Sequence, residues 1–195
     1  MRRLTRLAVL MVGLLSLSAL ASTTANAVTW HNSGDTAFTA TAGPPSYSVT
    51  GASLSCTSAT LSGTAPTTTV GLTYTVSATG SYNGCSFAGT SMSIECSYKF
   101  TGTALHGSTA TGSTDVTCGF YSFNAKICHV AGARPSTYEN PSGSAPGVLT
   151  LSTSNLIISN GASSCMFGNN DVIEFSPQIY TVTSGTGGPV LARTA

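Results

Sequence analysis

Charge is what this sequence most lacks. Seven Lys and Arg and six Asp and Glu are spread over 195 residues, about a quarter of the usual share. A formal net charge of +1 provides no basic surface for neutralising phosphates, which argues against nucleic acid as a partner. Good helix formers are equally thin, with two Lys and three Glu in the whole chain. The usual signatures of chemistry are missing too. There is no G-x-S-x-G elbow to hold a nucleophile, no D-x-D-x-D-G calcium loop and no Gly-rich phosphate loop entering a helix. The N-x-[ST] acceptor with a non-Pro middle residue does not occur, so N-glycosylation is not expected. Hydrophobicity is not lacking: at 41% it sets the chain apart from disordered sequences. The missing charge is replaced by 29 Ser, 31 Thr and 21 Gly.

The N-terminus has the three-part order of a secretory signal. Arg2, Arg3 and Arg6 precede an apolar run from Leu7 to Leu20, and Ala25-Asn26-Ala27 offers the small-x-small pattern that signal peptidase accepts. The run is shorter than the ~20 residues of a spanning helix, so residues 1–27 are expected to be cleaved and residues 28–195 to form a single all-β domain. No Cys follows the run and no apolar tail closes the chain, so no integral membrane segment is expected after cleavage. The mature part keeps four basic and six acidic residues, a weakly acidic balance.

All six cysteines fall in the mature part, at Cys56, Cys85, Cys96, Cys118, Cys128 and Cys165. An even count in an exported chain points to up to three disulfides, with fifteen possible pairings left open. A metal site would want paired spacings such as C-x2-C, and none occurs. Cys128 and His129 are adjacent, and neighbours on a strand point to opposite faces. No cofactor or metal is expected.

Periodicity points to strands throughout. Met92, Ile94, Cys96, Tyr98 and Phe100 alternate with Ser93, Glu95, Ser97 and Lys99, a period of two that a helix could not use. Val70, Leu72, Tyr74, Val76 and Ala78 repeat the pattern, as do Val116, Cys118 and Phe120. Leu149 with Leu151, Ile173 with Phe175 and Tyr180 with Val182 give shorter copies. The Ser and Thr between them suit an exposed pleated face. Asn83-Gly84, Asn160-Gly161 and Gly187-Gly188 are turn dipeptides. Asn32 to Asp35 marks a first hairpin between Val28–Trp30 and Thr36–Ala40, and residues 131–147 form one long loop.

An apolar-x-Gly-Thr echo begins at Leu61, Phe87 and Phe100. It reads as Gly at strand bends or bulges rather than as the coils of a β-solenoid. The expected fold is an all-β, disulfide-stapled antiparallel β-sandwich of jelly-roll or Ig-like type, with a closed β-barrel as the alternative. Trp30 precedes every Cys, so an antibody-type immunoglobulin domain is disfavoured.

Residues able to do chemistry are few. His106 with Ser113 and Asp115 contains the types needed for a nucleophile, base and acid, but reads as a polar hairpin. Glu95, Glu139 and Glu174 are the carboxylates a glycosidase pair would draw on. Asn32 to Asp35 and Asn169 to Asp171 offer oxygens to calcium, although such residues usually satisfy their own backbone. Tyr74, Tyr98, Phe100 and Phe120 would line a cavity for an apolar ligand or fill a core.

The signal segment, the Ser/Thr/Gly-rich strands, the S-C-T-S-A-T run at Ser55 to Thr60 and the closing T-V-T-S-G-T-G-G-P at Thr181 to Pro189 resemble uncharacterised secreted six-cysteine proteins of actinobacteria. The resemblance implies a secreted bacterial β-protein with disulfides and brings no activity or catalytic residue.

These readings converge on a secreted, non-catalytic interaction, adhesion or structural module with an extracellular or cell-envelope partner. A small apolar-ligand carrier is the alternative and an extracellular hydrolase a distant third. N-terminal sequencing of exported protein is expected to begin Val-Thr-Trp-His; a mature chain starting elsewhere would move the cleavage site, and one retaining Met1 would refute it.

Overall fold

The computed structural model describes residues 27–49, 52–122, 125–159, 165, 167–183, 185 and 187–194; the signal segment up to residue 26 and Asn160-Gly161 lie outside them. Among the described residues there is no helix and every strand pairing is antiparallel. The strands are β1 (Thr29–Asn32), β2 (Ala37–Ala42), β3 (Ser46–Val49), β4 (Ala52–Ser55), β5 (Ser58–Thr64), β6 (Thr68–Val70), β7 (Tyr74–Phe87), β8 (Thr90–His106), β9 (Thr109–Ser122), β10 (Ala125–Glu139), β11 (Val148–Leu151), β12 (Ser154–Ser159), β13 (Val172–Phe175), β14 (Gln178–Val182) and β15 (Leu191–Thr194).

The four long strands β7 to β10 follow one another as a meander and make one layer. The opposing layer is built from two sets of short strands. One set runs β5-β2-β14-β11 and the other β4-β3-β13-β12. At one margin β7 pairs with both β5 and β4; at the other, β10 pairs with both β11 and β12. The result is a sandwich whose layers are hydrogen-bonded to each other along both margins, which leaves its large sheet few free edges of the kind that invite aggregation. A separate sheet, β15-β1-β6, carries Trp30, whose fully buried ring lies 5.8 Å from that of Tyr74.

Alternation does what the sequence implies. In β8, Met92, Ile94, Cys96, Tyr98 and Phe100 are buried and the residues between them exposed. Val116, Cys118 and Phe120 lie beside them on β9, and Leu156, Ile158, Ile173 and Phe175 close the core from the short strands. The six cysteines pair as Cys56–Cys85, Cys96–Cys118 and Cys128–Cys165. Cys96 and Cys118 are register partners on β8 and β9. The bridges span 29, 22 and 37 residues, so each constrains the unfolded chain by about 3–4 kcal/mol. Three disulfides place the folded protein in an oxidising environment.

Four expectations are corrected. The first concerns Asn32 to Asp35, which is not a hairpin: β1 pairs with β6 and β15, whereas β2 pairs with β5 and β14. The segment is a crossing between sheets, held by Asn32 Oδ1 accepting from Gly34 N at 3.0 Å and Val190 N at 2.9 Å.

Asn83-Gly84 is the second. It is a bulge inside β7, with Gly84 at φ +58° and the register shifting between Tyr82 and Cys85. The actual β7–β8 turn is Ala88-Gly89, both at positive φ.

In the third, the apolar stripe from Val70 to Ala78 breaks at Gly71 (φ +138°), because β6 and β7 belong to different sheets. Val70 and Leu72 are therefore exposed.

The fourth is residues 131–147, which are not one loop. Residues 131–139 continue β10, in register with β9 through Pro135, which stands opposite Ser113. On its other side β10 pairs with β12 up to Ala131 and with β11 from Ser136. Pro135 sits in the gap between those partners, where a missing N–H breaks no ladder. The three copies of the Gly-Thr echo likewise have three unrelated roles: Gly63 is paired within β5 and β7, Gly89 turns a hairpin, and Gly102 borders the register shift in β8.

Arg134 fills the same gap from the inside. It is fully buried, and among the described residues no carboxylate reaches it. Its guanidinium donates to the Ser152 carbonyl (3.1 and 2.9 Å), the Ser176 carbonyl (2.8 Å) and Gln178 Oε1 (2.9 Å), and lies 5.2 Å from the centre of the Phe175 ring. These carbonyls belong to the β11–β12 and β13–β14 connections, where the two short-strand sets meet. One five-donor fork thus satisfies backbone groups that no ladder can reach. Arg134→Ala is expected to lower stability by about 3 kcal/mol or more, through several orphaned acceptors. Arg134→Lys should recover only part of it, since an ammonium cannot span the same fork. Urea denaturation measures both, and an Ala variant as stable as the parent would refute the role.

Candidate functional site

The outer face of the long-strand layer, continued round its β7 margin onto β5 and β2, is a lattice of hydroxyls set by register. One cross-strand row runs Thr39, Ser62, Thr79, Ser97 and Thr117 across β2, β5, β7, β8 and β9. It is extended by Thr183, whose Oγ1 lies 3.2 Å from that of Thr39. On its other side the row passes through Ala131 to Ile157 and Val172, an apolar stretch exposed at the latter two. The adjacent row reads Thr41, Thr60, Ser81, Glu95, Gly119, His129 and Ser159. Neighbouring strands are about 4.8 Å apart, and side chains on one face recur about every 6.8 Å along a strand.

Two open hollows lie on this face. The first, of about 420 Å³, is bounded by Glu95, His129 and Tyr121 together with Thr60, Ser81, Ser97 and Thr117, over Gly119. The second, of about 510 Å³, shares Ser62, Thr79, Ser97 and Thr117 with the first and ends at Lys99 and Asp115. Lys99 and Asp115 are register partners on β8 and β9. Gly119, which is buried, contributes only backbone between Glu95 and His129. His129 turns outward while Cys128 is buried, as their adjacency requires, and His129 Nδ1 is hydrogen-bonded to Ser159 Oγ at 2.9 Å.

Most residue sets singled out from the sequence are not assembled. His106 pairs with Thr109 at the end of β8, whereas Ser113 pairs with Thr101, about 17 Å further along the strand. Glu95 shares a row with His129, Glu139 pairs with Thr109 near the far end of the layer, and Glu174 lies on β13 beside Ser48. No two of these carboxylates face each other across a cleft. The row Ser159, His129, Gly119, Glu95 does bring together a hydroxyl, an imidazole and an acid. Its acid stands two strands from the histidine, about 10 Å between backbones, and the hydrogen bond His129 makes is to Ser159.

In both segments weighed for calcium, a carboxylate oxygen accepts from a backbone N–H. Asp171 Oδ2 accepts from Gly168 N at 2.6 Å and Asp35 Oδ2 from Gly188 N at 3.2 Å. Among the described residues, no cluster of three His, Cys, Asp or Glu side chains is placed to hold a metal.

The interior is filled. Tyr74, Tyr98, Phe100 and Phe120 are core residues, and the apolar space beside Phe38, Phe100, Tyr138 and Leu149 is about 40 Å³, far below the ~300 Å³ of small-ligand sites. At mid-core, Gln178 Nε2 donates to Tyr47 Oη at 2.9 Å, Tyr82 is hydrogen-bonded to Tyr98, and its hydroxyl lies 3.3 Å from that of Tyr180. The His129–Gly119–Glu95 row left no trace in the sequence, because its members are separated by chain and joined only by register.

No protein-family model, curated protein or solved structure matches this chain. Among the described residues, no helix is long and apolar enough to cross a membrane.

Burial, the largest cause in each case, raises the hydroxyl pKa of Tyr47, Tyr98 and Tyr180 well above the ordinary value and pushes Tyr74 up to about 12. In the unfolded chain tyrosine titrates near about 10. The stability these groups contribute is therefore fully present below that pH and is lost as pH rises through the folded-state values. Alkaline titration is expected to release buried tyrosinate absorbance together with the circular-dichroism change of unfolding. Ionisation of all seven tyrosines in the still-folded protein would contradict it.

Proposed function

We propose that this is an exported, non-catalytic interaction module that works at the cell exterior or envelope and meets its partner on the outer face of the β7–β10 layer. The observation that carries the reading is the pair of adjoining hollows on that face, about 420 and 510 Å³, lined by hydroxyls. A filled core supports a surface site over an internal one, and the absence of an assembled acid–base pair among the described residues supports recognition over catalysis. The three disulfides, the N-terminal signal pattern and the resemblance to secreted actinobacterial proteins support export from a bacterial cell. A surface rich in Ser and Thr and poor in charge suits a partner that is itself polar and uncharged, since it offers hydrogen bonds without steering any ion.

Labelled mature protein is expected to bind isolated actinobacterial cell envelopes saturably. The double variant Thr79→Lys, Ser97→Lys, placed on the ridge shared by both hollows, should weaken this by about tenfold or more, roughly 1.4 kcal/mol. Ser48→Lys, on the outer face of the short strands, should leave it unchanged. Absent binding, or binding indifferent to the ridge substitutions, would overturn the reading.

A further inference from the structure

Resting on that reading, we propose that the two hollows are neighbouring subsites for an uncharged oligosaccharide, with one sugar unit seated over Gly119 between Glu95 and His129. The ligand class follows from what lines the first hollow. Ser97 and Thr117 present hydroxyls that both donate and accept, Thr60 and Ser81 present a pair already hydrogen-bonded to each other at 2.9 Å, Glu95 accepts, and His129 has one ring nitrogen engaged by Ser159. Mixed donors and acceptors at close spacing match a ligand covered in hydroxyl groups.

Other classes fit less well. Among the described side chains no arginine or lysine lines the first hollow and Glu95 does, which disfavours phosphates and acidic sugars there. A divalent cation finds no third ligand among the described residues. A protein partner would want an aromatic and apolar centre, whereas here the apolar residues Ile157 and Val172 lie beyond the histidine, two and three strands from Thr117. Tyr121 supplies an aromatic ring at the margin, a surface on which the C–H face of a sugar can rest.

The volume is within the range of small-molecule sites, about 300–1,000 Å³. Because the second hollow shares four side chains with the first, the two lie end to end along the strands on either side of that row, which suits a chain of units rather than a single sugar.

Gly119 and Tyr121 make the inference testable by two opposite changes. Gly119 is paired with Glu95 and His129 and is buried beneath the hollow, so Gly119→Val puts side-chain atoms on its floor, whereas Tyr121→Ala removes atoms from its margin. The melting temperature of each variant is measured beside its binding, so that lost affinity is read only from folded protein.

The experiment is calorimetric titration of the disulfide-intact mature protein with cello-, xylo-, manno-, malto- and chitohexaose, with an oligogalacturonate as the charged comparison. At least one neutral hexasaccharide is expected to bind with Kd about 10⁻⁵ to 10⁻³ M and the oligogalacturonate more weakly; Gly119→Val and Tyr121→Ala should each weaken the neutral ligand about tenfold or more.

No neutral hexasaccharide binding, tighter binding of the charged chain, or binding unaffected by Gly119→Val would overturn the proposal. Envelope binding measured on the same variants separates the two readings. If envelopes are bound through the ridge but no hexasaccharide binds, the saccharide inference falls and the outer-face reading stands. If envelopes are not bound, the outer-face reading itself fails.

Discussion

The sandwich depends on how Arg134 is satisfied. β10 must exchange one partner strand for another half-way along its length, and any such exchange leaves carbonyl groups facing inward with no ladder to join. Arg134 answers two strand connections and the Gln178 side chain at once, from a position that is fully buried and has no counter-ion among the described residues. Burial lowers its pKa, and the surrounding tyrosine hydroxyls act in the opposite direction. A guanidinium tolerates this place because it is weakly hydrated to begin with, planar, and able to rest on the Phe175 ring while donating in its own plane. Without it the two short-strand sets would meet over unpaired acceptors, and the long strands could not serve both.

The same junction explains why polar groups occur at mid-core. Gln178 takes one guanidinium N–H and passes a hydrogen bond to Tyr47, while Tyr82 links Tyr98 to Tyr180. Side chains from both layers are thus bound through hydroxyls and amides where aliphatic packing alone would leave the register of four short strands weakly specified. With the core occupied, the open hollows lie on the outside, where the sheet presents rows of hydroxyls interrupted at Gly119.

A good part of the fold was legible in one dimension. The alternation from Met92 to Phe100 and in Val116–Phe120 is visible because each strand has one wet and one dry face, and all six cysteines are found in bridges. The misreadings share one cause. Asn83-Gly84 has the composition of a turn, but a bulge needs the same backbone conformation, and only the continuing β5–β7–β8 pairing distinguishes them. Pro135 reads as a loop residue because proline breaks ladders; it is accommodated only because β10 has no second partner there. Val70 and Leu72 continue the spacing of β7 yet lie outside, since a single Gly71 diverts the chain from one sheet to another. The candidate site was the least legible part: Glu95, Gly119, His129 and Ser159 are aligned by the pairing of four strands and by nothing local.

By itself the sequence determined the class of the protein. Scarce charge, abundant Ser and Thr and a period of two compel exposed hydroxyl faces and buried apolar ones, and that requires sheets. Tertiary structure decided which cysteines are bridged, which strands meet and which outward residues become neighbours. Those outcomes rest on contacts between residues far apart in the chain, and a period of two assigns each side chain a face without saying what will stand beside it.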